Sequence, residues 1–387
     1  VYGIALVASW AAFAVSIALL KLVLAGGPIS YQLGGWAPPW GIEYVVDSVN
    51  AYVLLIVSAI GALVITFGKQ SVERELPIGK DGLFYTSYLL CLAGLLGVTI
   101  TGDAFNIFVF LEISSLSSYI LISLGRQPMA LTAAYRYLVL GTIGATFYLI
   151  GVGLLYQATG TLNIADLAVR VAEVGDSRSV RASFGFMTVG LGIKLALFPL
   201  HVWLPNAYAY APSVSSAFLA ATATKVSIYV LVRVFFTIFG PDYSFETMPL
   251  DVVLLPLAVT AMFVGSLVAI FQDDVKRMLA YSSVAQIGYM IVGICLASVI
   301  GLTGGLLHLF NHALMKGALF LAMGCVVYRL GSAMLDDLSG LGRRMPWTMA
   351  AFVVGGLSLI GIPLTAGFVS KWYLILGALD KDWWWLA

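Results

Sequence analysis

Charge is what this chain has least of. Only 10% of its 387 residues are Asp, Glu, Lys or Arg, against about 25% in soluble domains, which excludes an ordinary water-facing surface. The formal net charge is +1, so there is neither a basic face for nucleic acid nor an acidic tail. Cysteine is equally scarce. Cys91, Cys295 and Cys325 lie in apolar runs without ligand spacing, so they read as buried, reduced and structural, and no iron–sulfur site is expected. No G-x-G-x-x-G opens a soluble βαβ unit, so no nicotinamide or flavin site is expected either, and the chain is assigned no cofactor. Any coupled redox enzyme would hold its catalytic site in another subunit. The chain opens on Val1 without a basic segment ahead of a short apolar core, so no cleavable signal peptide is expected. It reads as a piece of a longer protein, open at both ends.

Apolar sequence is what is there. Hydrophobic residues make up 61% of the chain, and mean hydropathy is +0.99. With about 20 apolar residues per membrane span, segments fall at about 2–25, 48–68, 82–101, 103–124, 130–157, 183–199, 213–239, 250–271, 279–298, 300–328 and 347–377. The expected fold is therefore an all-α polytopic membrane protein of eleven helices in the cell membrane, with Trp383 to Ala387 opening a twelfth. Even-numbered gaps hold nine basic residues (Lys69, Arg74, Lys80, Arg126, Lys276, Arg277, Arg329, Arg343, Arg344), and odd-numbered gaps hold four (Arg170, Arg178, Arg181, Lys381). The positive-inside rule puts the even gaps and Val1 in the cytoplasm.

The chain also resembles itself. Gly153, Gly160, Asp166 and Leu167 return 171 residues later as Gly324, Gly331, Asp337 and Leu338. "SSLSSYILI" from Ser114 is loosely echoed by "SSVAQIGYMI" from Ser282. The copies lie five segments apart, an odd number, so corresponding helices should run in opposite directions, as in the inverted repeats of ion-coupled transporters. The expected organisation is N-terminal helices over 1–81, a first five-helix repeat over 82–240 and a second, truncated one over 250–387. Two segments look broken: Pro199, Pro205 and Pro212 follow Lys194, and Gly361, Pro363 and Gly367 precede Lys371. Such a break frees backbone groups that must be buried in protein or face water.

The few charges inside these segments are the candidate functional residues. Glu112 is the one charge between Phe105 and Leu124, and a charge at the bilayer centre costs at least about 2.5 kcal/mol. A lysine from a neighbouring helix would offset that cost, and Lys194 and Lys225 are the available partners. Lys225 and Lys316 are central in their segments, too far from either end to snorkel. Lys194 and Lys371 lie nearer their segment ends, where snorkelling remains an alternative. His308, His312 and Lys316 share one helical stripe at i, i+4, i+8. The spacing of the two histidines matches the H-E-x-x-H zinc motif, but Leu309 occupies the place of the general base, so no metal site is expected. Two histidines beside a buried lysine suit proton relay better. His201, in a turn between prolines, stays ambiguous.

At these residues the chain resembles the antiporter-like subunits shared by Mrp sodium/proton antiporters, respiratory complex I and membrane-bound hydrogenases. The likeness runs nearly end to end, through "GDAFNIFVFLE", "GIKLALFPLHVWLP", "ATKVSIYVL", "KRMLAYSSVAQIGYM", "HLFNHALMKGALF" and "GIPLTAGFVSKW". It implies a fourteen-helix proton-translocating subunit with two inverted five-helix repeats, lacking here its first and last helices. It further implies that Glu112, Lys194, Lys225, His308, His312, Lys316 and Lys371 carry the proton, with other membrane subunits as partners and protons, and in some assemblies sodium, as cargo. "TGDAFNIFVFLE" and "GGWAPPWGIEYVVDSVNAY" are most similar to the D-type polypeptide of Mrp antiporters, the preferred reading. "YRYLVLG" and "SLIGIPLTAGF" are more similar to the N-type polypeptide of quinone reductases, and Lys371 in place of glutamate argues against the M-type. A carrier of organic solutes fits the titratable axis less well, and a purely structural anchor would not need it.

Overall fold

The structure, a computed structural model, describes residues 1–387. Helix α1 (Tyr2–Gly26) leads into a two-stranded antiparallel hairpin, β1 (Ile29–Gln32) and β2 (Glu43–Val46), the only sheet. Then come α2 (Ser48–Glu75), α3 (Asp81–Ile100), α4 (Ala104–Ser123), α5 (Pro128–Thr159), α6 (Ile164–Val174), α7 (Arg178–Lys194), α8 (Leu204–Tyr210) and α9 (Ser213–Val232). The second half holds α10 (Leu250–Ile270), α11 (Val275–Cys295), α12 (Val299–Leu330), the single turn α13 (Leu341–Arg344), α14 (Pro346–Ile360) and α15 (Ala366–Asp380). Nine helices are long and apolar enough to cross a membrane. The remaining two expected spans are the broken ones: α7 stops at Lys194 and α8 follows after turns, while α14 stops at Ile360 and α15 resumes at Ala366.

The 171-residue spacing read from four residues recurs in the hydrogen bonds. Asp103 caps α4 by accepting from Asn106 N at 2.7 Å, and Asp274 caps α11 by accepting from Arg277 N at 2.9 Å. α5 and α12 are both 32 residues long and end on Gly160 and Gly331, with φ of 74° and 79°. That left-handed cap favours glycine because a Cβ would crowd the backbone. Just beyond, Ala104 N donates to Leu162 O (2.8 Å) and Ile164 N to Gly102 O (2.9 Å); Val275 N donates to Ala333 O (2.9 Å) and Leu335 N to Asp273 O (2.8 Å). Each pair is displaced by the same 171 residues.

The core centres on α9, every residue of which is buried except Ala223. α2, α3, α7 and α12 pack around it. α1 and α10 lie outside and keep apolar side chains such as Val7, Leu24, Phe263 and Leu267 exposed, as helices facing hydrocarbon must.

Some expectations are corrected. Trp383 to Ala387 form turns rather than a helix, because α15 ends at Asp380 and Asp382 reverses the chain at φ 58°. Lys276 and Arg277 belong to the first turn of α11 rather than to a gap, and Lys276 is buried with Nζ 2.6 Å from Ala211 O. Cys325 is only half-buried, unlike Cys91 and Cys295. α6 was not anticipated: Asn163 caps it, and Ile164, Leu167 and Val171 form its buried stripe.

Candidate functional site: a buried polar axis

The axis begins where α7 ends. Lys194 is the last residue of α7, and its Nζ donates to Glu112 Oε1 on α4 at 3.0 Å and to Ser115 Oγ at 2.7 Å. Ser115 lies three residues after Glu112, on the same face of α4. The Lys194 side chain is 3% exposed and that of Glu112 23%, so the ammonium is inside the bundle while the carboxylate reaches its edge. Of the two candidate partners for Glu112, the structure selects Lys194.

Lys225 is fully buried in α9. Its Nζ donates to Ala220 O and lies 3.4 Å from Thr224 Oγ1. α12 crosses α9 here, with Gly317 against Ala221. Lys316, also fully buried, donates to Leu279 O at 2.6 Å and to Ser282 Oγ. Neither lysine has a carboxylate within 4.0 Å. Carbonyl and hydroxyl oxygens hold them, ligands that accept from an ammonium without trapping it in an ion pair.

One and two turns before Lys316 on α12, the two histidines differ in their surroundings. His308 Nε2 is 2.9 Å from Gln286 Oε1, and Nδ1 is 2.9 Å from Ser370 Oγ. Ser370 Oγ also lies 3.1 Å from Gly367 O. This shell accommodates two protonation states: the Ser370 hydroxyl donates to a neutral ring, or accepts from a cationic one and donates on to Gly367. The His312 ring is parallel to that of His308 at 6.3 Å between centroids, fully buried, and neither of its nitrogens has a protein partner. Next to Ser370, Lys371 Nζ donates to Leu359 O (3.0 Å) and Ile360 O (3.1 Å), the carbonyls freed where α14 ends, and lies 4.3 Å from the centroid of the Tyr289 ring. Tyr289 in turn sits 5.5 Å from His308. Lys371 thus caps the second break and also faces the histidines through an aromatic ring.

All seven candidate residues are therefore buried or half-buried, on α4, α7, α9, α12 and α15. His201 stands apart, stacked on Phe198 at 5.2 Å with Tyr281 beyond it. Sequence reasoning missed Ser115, Ser282, Gln286, Tyr289 and Ser370, which complete the shells of the titratable groups. A polar side chain one turn from a candidate, or an amide in an apolar helix, was the available signal.

Comparison with known proteins shows the family. Residues 101–387 match the family described as NADH:quinone oxidoreductase/Mrp antiporter, transmembrane. The chain is 46% identical over 369 residues to the N subunit of the NADH-quinone oxidoreductase of Desulforudis audaxviator, covering 95% of this chain and 73% of that one. It is 36% identical over 368 residues to the D-type polypeptide of the Na(+)/H(+) antiporter of Alkalihalophilus pseudofirmus, with coverage of 95% and 73%. Among solved structures, it superposes on a chain of the Mrp complex from Dietzia sp. with a TM-score of 0.90 at 32% identity, covering 98% of this chain and 70% of that one. A chain of an archaeal membrane-bound sulfane sulfur reductase gives a TM-score of 0.91 at 34% identity, covering 98% and 76%. A mainly helical multi-pass membrane chain with these relatives belongs to the NADH:quinone oxidoreductase/Mrp antiporter transmembrane family.

Proposed function

We propose that this antiporter-like membrane subunit translocates protons along Glu112, Lys194, Lys225, His312, Lys316, His308 and Lys371 as part of a multisubunit membrane complex. The carrying observation is the one ion pair within the axis, Lys194–Glu112, followed by lysines that have no carboxylate within 4.0 Å. At the pair, separating the charges weakens the hold on the proton of Lys194, because burial disfavours an isolated ammonium and the carboxylate favours it. Beyond it, a proton on one lysine opposes a proton on the next by like-charge repulsion. A charge crossing about 100 mV exchanges about 2.3 kcal/mol, within reach of such pairwise effects. The two units that share the axis are taken as residues 82–240 and 250–387, with 1–81 alongside, and the even gaps are taken as cytoplasmic.

The assembly has two readings. "TGDAFNIFVFLE" and the antiporter relatives favour the D-type component of a sodium/proton antiporter. The 46% identity to a quinone oxidoreductase component favours a redox-driven complex. Purification from native membranes separates them: hydrophilic redox subunits co-purify in the second case and not in the first. Proton translocation itself is tested by Lys225→Ala in proteoliposomes of the whole complex, which should lose proton flux while assembly persists. Wild-type flux would overturn the proposal.

A further inference from the structure

At the end of α9 opposite the first break lies a feature that the axis does not use. Lys225, Tyr229 and Arg233 stand one turn apart on the same stripe of α9 and its π-helical continuation Arg233–Ile238. Arg233 Nε donates to Tyr229 Oη at 3.0 Å, and that hydroxyl donates to Thr99 O at 3.0 Å. The guanidinium then meets Asp47, and both line a cavity of about 260 Å³ together with Glu43, Asn50, Thr101 and Tyr229. The cavity holds two carboxylates against one guanidinium. Their situations differ. Asp47 is committed: Oδ1 caps α2 through Val49 N (2.9 Å) and Asn50 N (3.0 Å), and Oδ2 takes Arg233. Glu43, 7% exposed, accepts only from neutral groups, Ser30 Oγ and Asn163 Nδ2, both at 2.6 Å. No cation lies within 4.0 Å of it.

A cavity of this size, with these polar side chains on its wall, has the room and the partners to take up water. It lies at the ends of α2, α4 and α9 that face the odd gaps, beside the β1–β2 hairpin.

We propose that this cavity is an aqueous proton port of the first repeat on the odd-gap face, with Glu43 exchanging protons between bulk water and Lys225 and the Arg233–Asp47 pair as its gate. This rests on the proton reading of Lys225. Lys225 now points toward Ala220 and away from the cavity. A swing of its flexible stem toward Tyr229 would bring the ammonium to cavity water, to which one N–H bond gives up its proton. The proton passes to a Glu43 oxygen and from there to bulk, leaving Lys225 neutral. Arg233 stands between the two and repels the ammonium; Asp47 draws the guanidinium aside and offsets its charge.

The test uses the whole complex in proteoliposomes. Glu43→Gln should lower the initial rate of proton flux by about a hundred-fold, the lower end of the range for a lost acid–base group, while Glu43→Asp restores most of it. Independently, Thr237→Cys at the cavity wall, in a Cys325→Ser background, should react with a membrane-impermeant cationic methanethiosulfonate added from outside, and the reaction should inhibit flux. Lys225→Ala is measured alongside. If it stops flux while Glu43→Gln and the modified Thr237→Cys both run at the wild-type rate, the port is wrong and the proton reading stands. If Lys225→Ala also runs at that rate, the proton reading itself fails.

Discussion

Lys194 Nζ lies 3.0 Å from Glu112 Oε1, and no other lysine of the axis has an acid within 4.0 Å. A glutamate in the middle of an apolar helix is thereby explained by a lysine 82 residues further on, placed at its level because α7 stops there. Ser115 supplies a second acceptor, so the ammonium keeps a partner when the carboxylate moves.

Removing either member of the pair should stop ion-coupled transport without dispersing the complex. Lys194→Ala leaves Glu112 without its counter-charge, an effect below the roughly 3 kcal/mol of a fully buried pair because the Glu112 side chain is 23% exposed. Glu112→Gln keeps the shape and a carbonyl oxygen for Lys194. Proton flux in vesicles, read beside native gel mobility, checks both; near-normal flux in Glu112→Gln would remove the gating role.

Lys371→Arg separates capping from relay. Arginine keeps a permanent charge and donors for Leu359 O and Ile360 O but does not release a proton at working pH. If Lys371 only caps the end of α14, the variant retains most of its flux. Relay through Lys371 requires flux to fall sharply while expression and assembly persist.

Gln286→Leu should slow transport more than it destabilises the protein. It takes the acceptor from His308 Nε2, which costs about 1–3 kcal/mol for a group left unsatisfied in the interior, and disfavours the doubly protonated ring. Gln286→Glu should restore or exceed the wild-type preference for the charged imidazole. Flux measured against pH distinguishes the two variants; superimposable profiles would contradict the role.

Topology is checked by Lys80→Cys in a Cys325→Ser background. An impermeant maleimide should label it only after the membrane is opened, or in inside-out vesicles. Labelling from outside intact cells would reverse the assignment of the even gaps.

Gly331→Ala should lower the thermal midpoint, because φ is 79° there and a Cβ in the left-handed region costs about 1 kcal/mol. Gly342→Ala, at a position with open space around a Cβ, is the control.

Much of the site was legible in the sequence because the bilayer makes charge informative: Glu112, Lys225 and Lys316 stand out in apolar runs that must otherwise exclude them. The breaks were legible through Pro199 and Pro363. What was not legible depends on packing between distant segments. The choice of Lys194 over Lys225 for Glu112 is set by where α7 ends against α4, and the Gln286 and Ser370 contacts to His308 join three helices. α6 was missed because its eleven residues are too few to register as a span, and Lys276 because a buried lysine at a helix start reads like a loop residue.

The 171-residue correspondence has one further consequence. Carried to the middle of α4, it sets Ser283 of α11, buried and uncharged, opposite Glu112. The correspondence in caps, lengths and turns therefore does not extend to a second acid there. Along the proposed axis from Glu112 to Lys371, a carboxylate stands at one end, and neutral oxygens, imidazoles and lysines follow. If that axis carries protons as proposed, it has a head and a tail, and moving the head to the other end would require moving one charge, for instance by Ser283→Glu together with Glu112→Ser, rather than rebuilding the bundle.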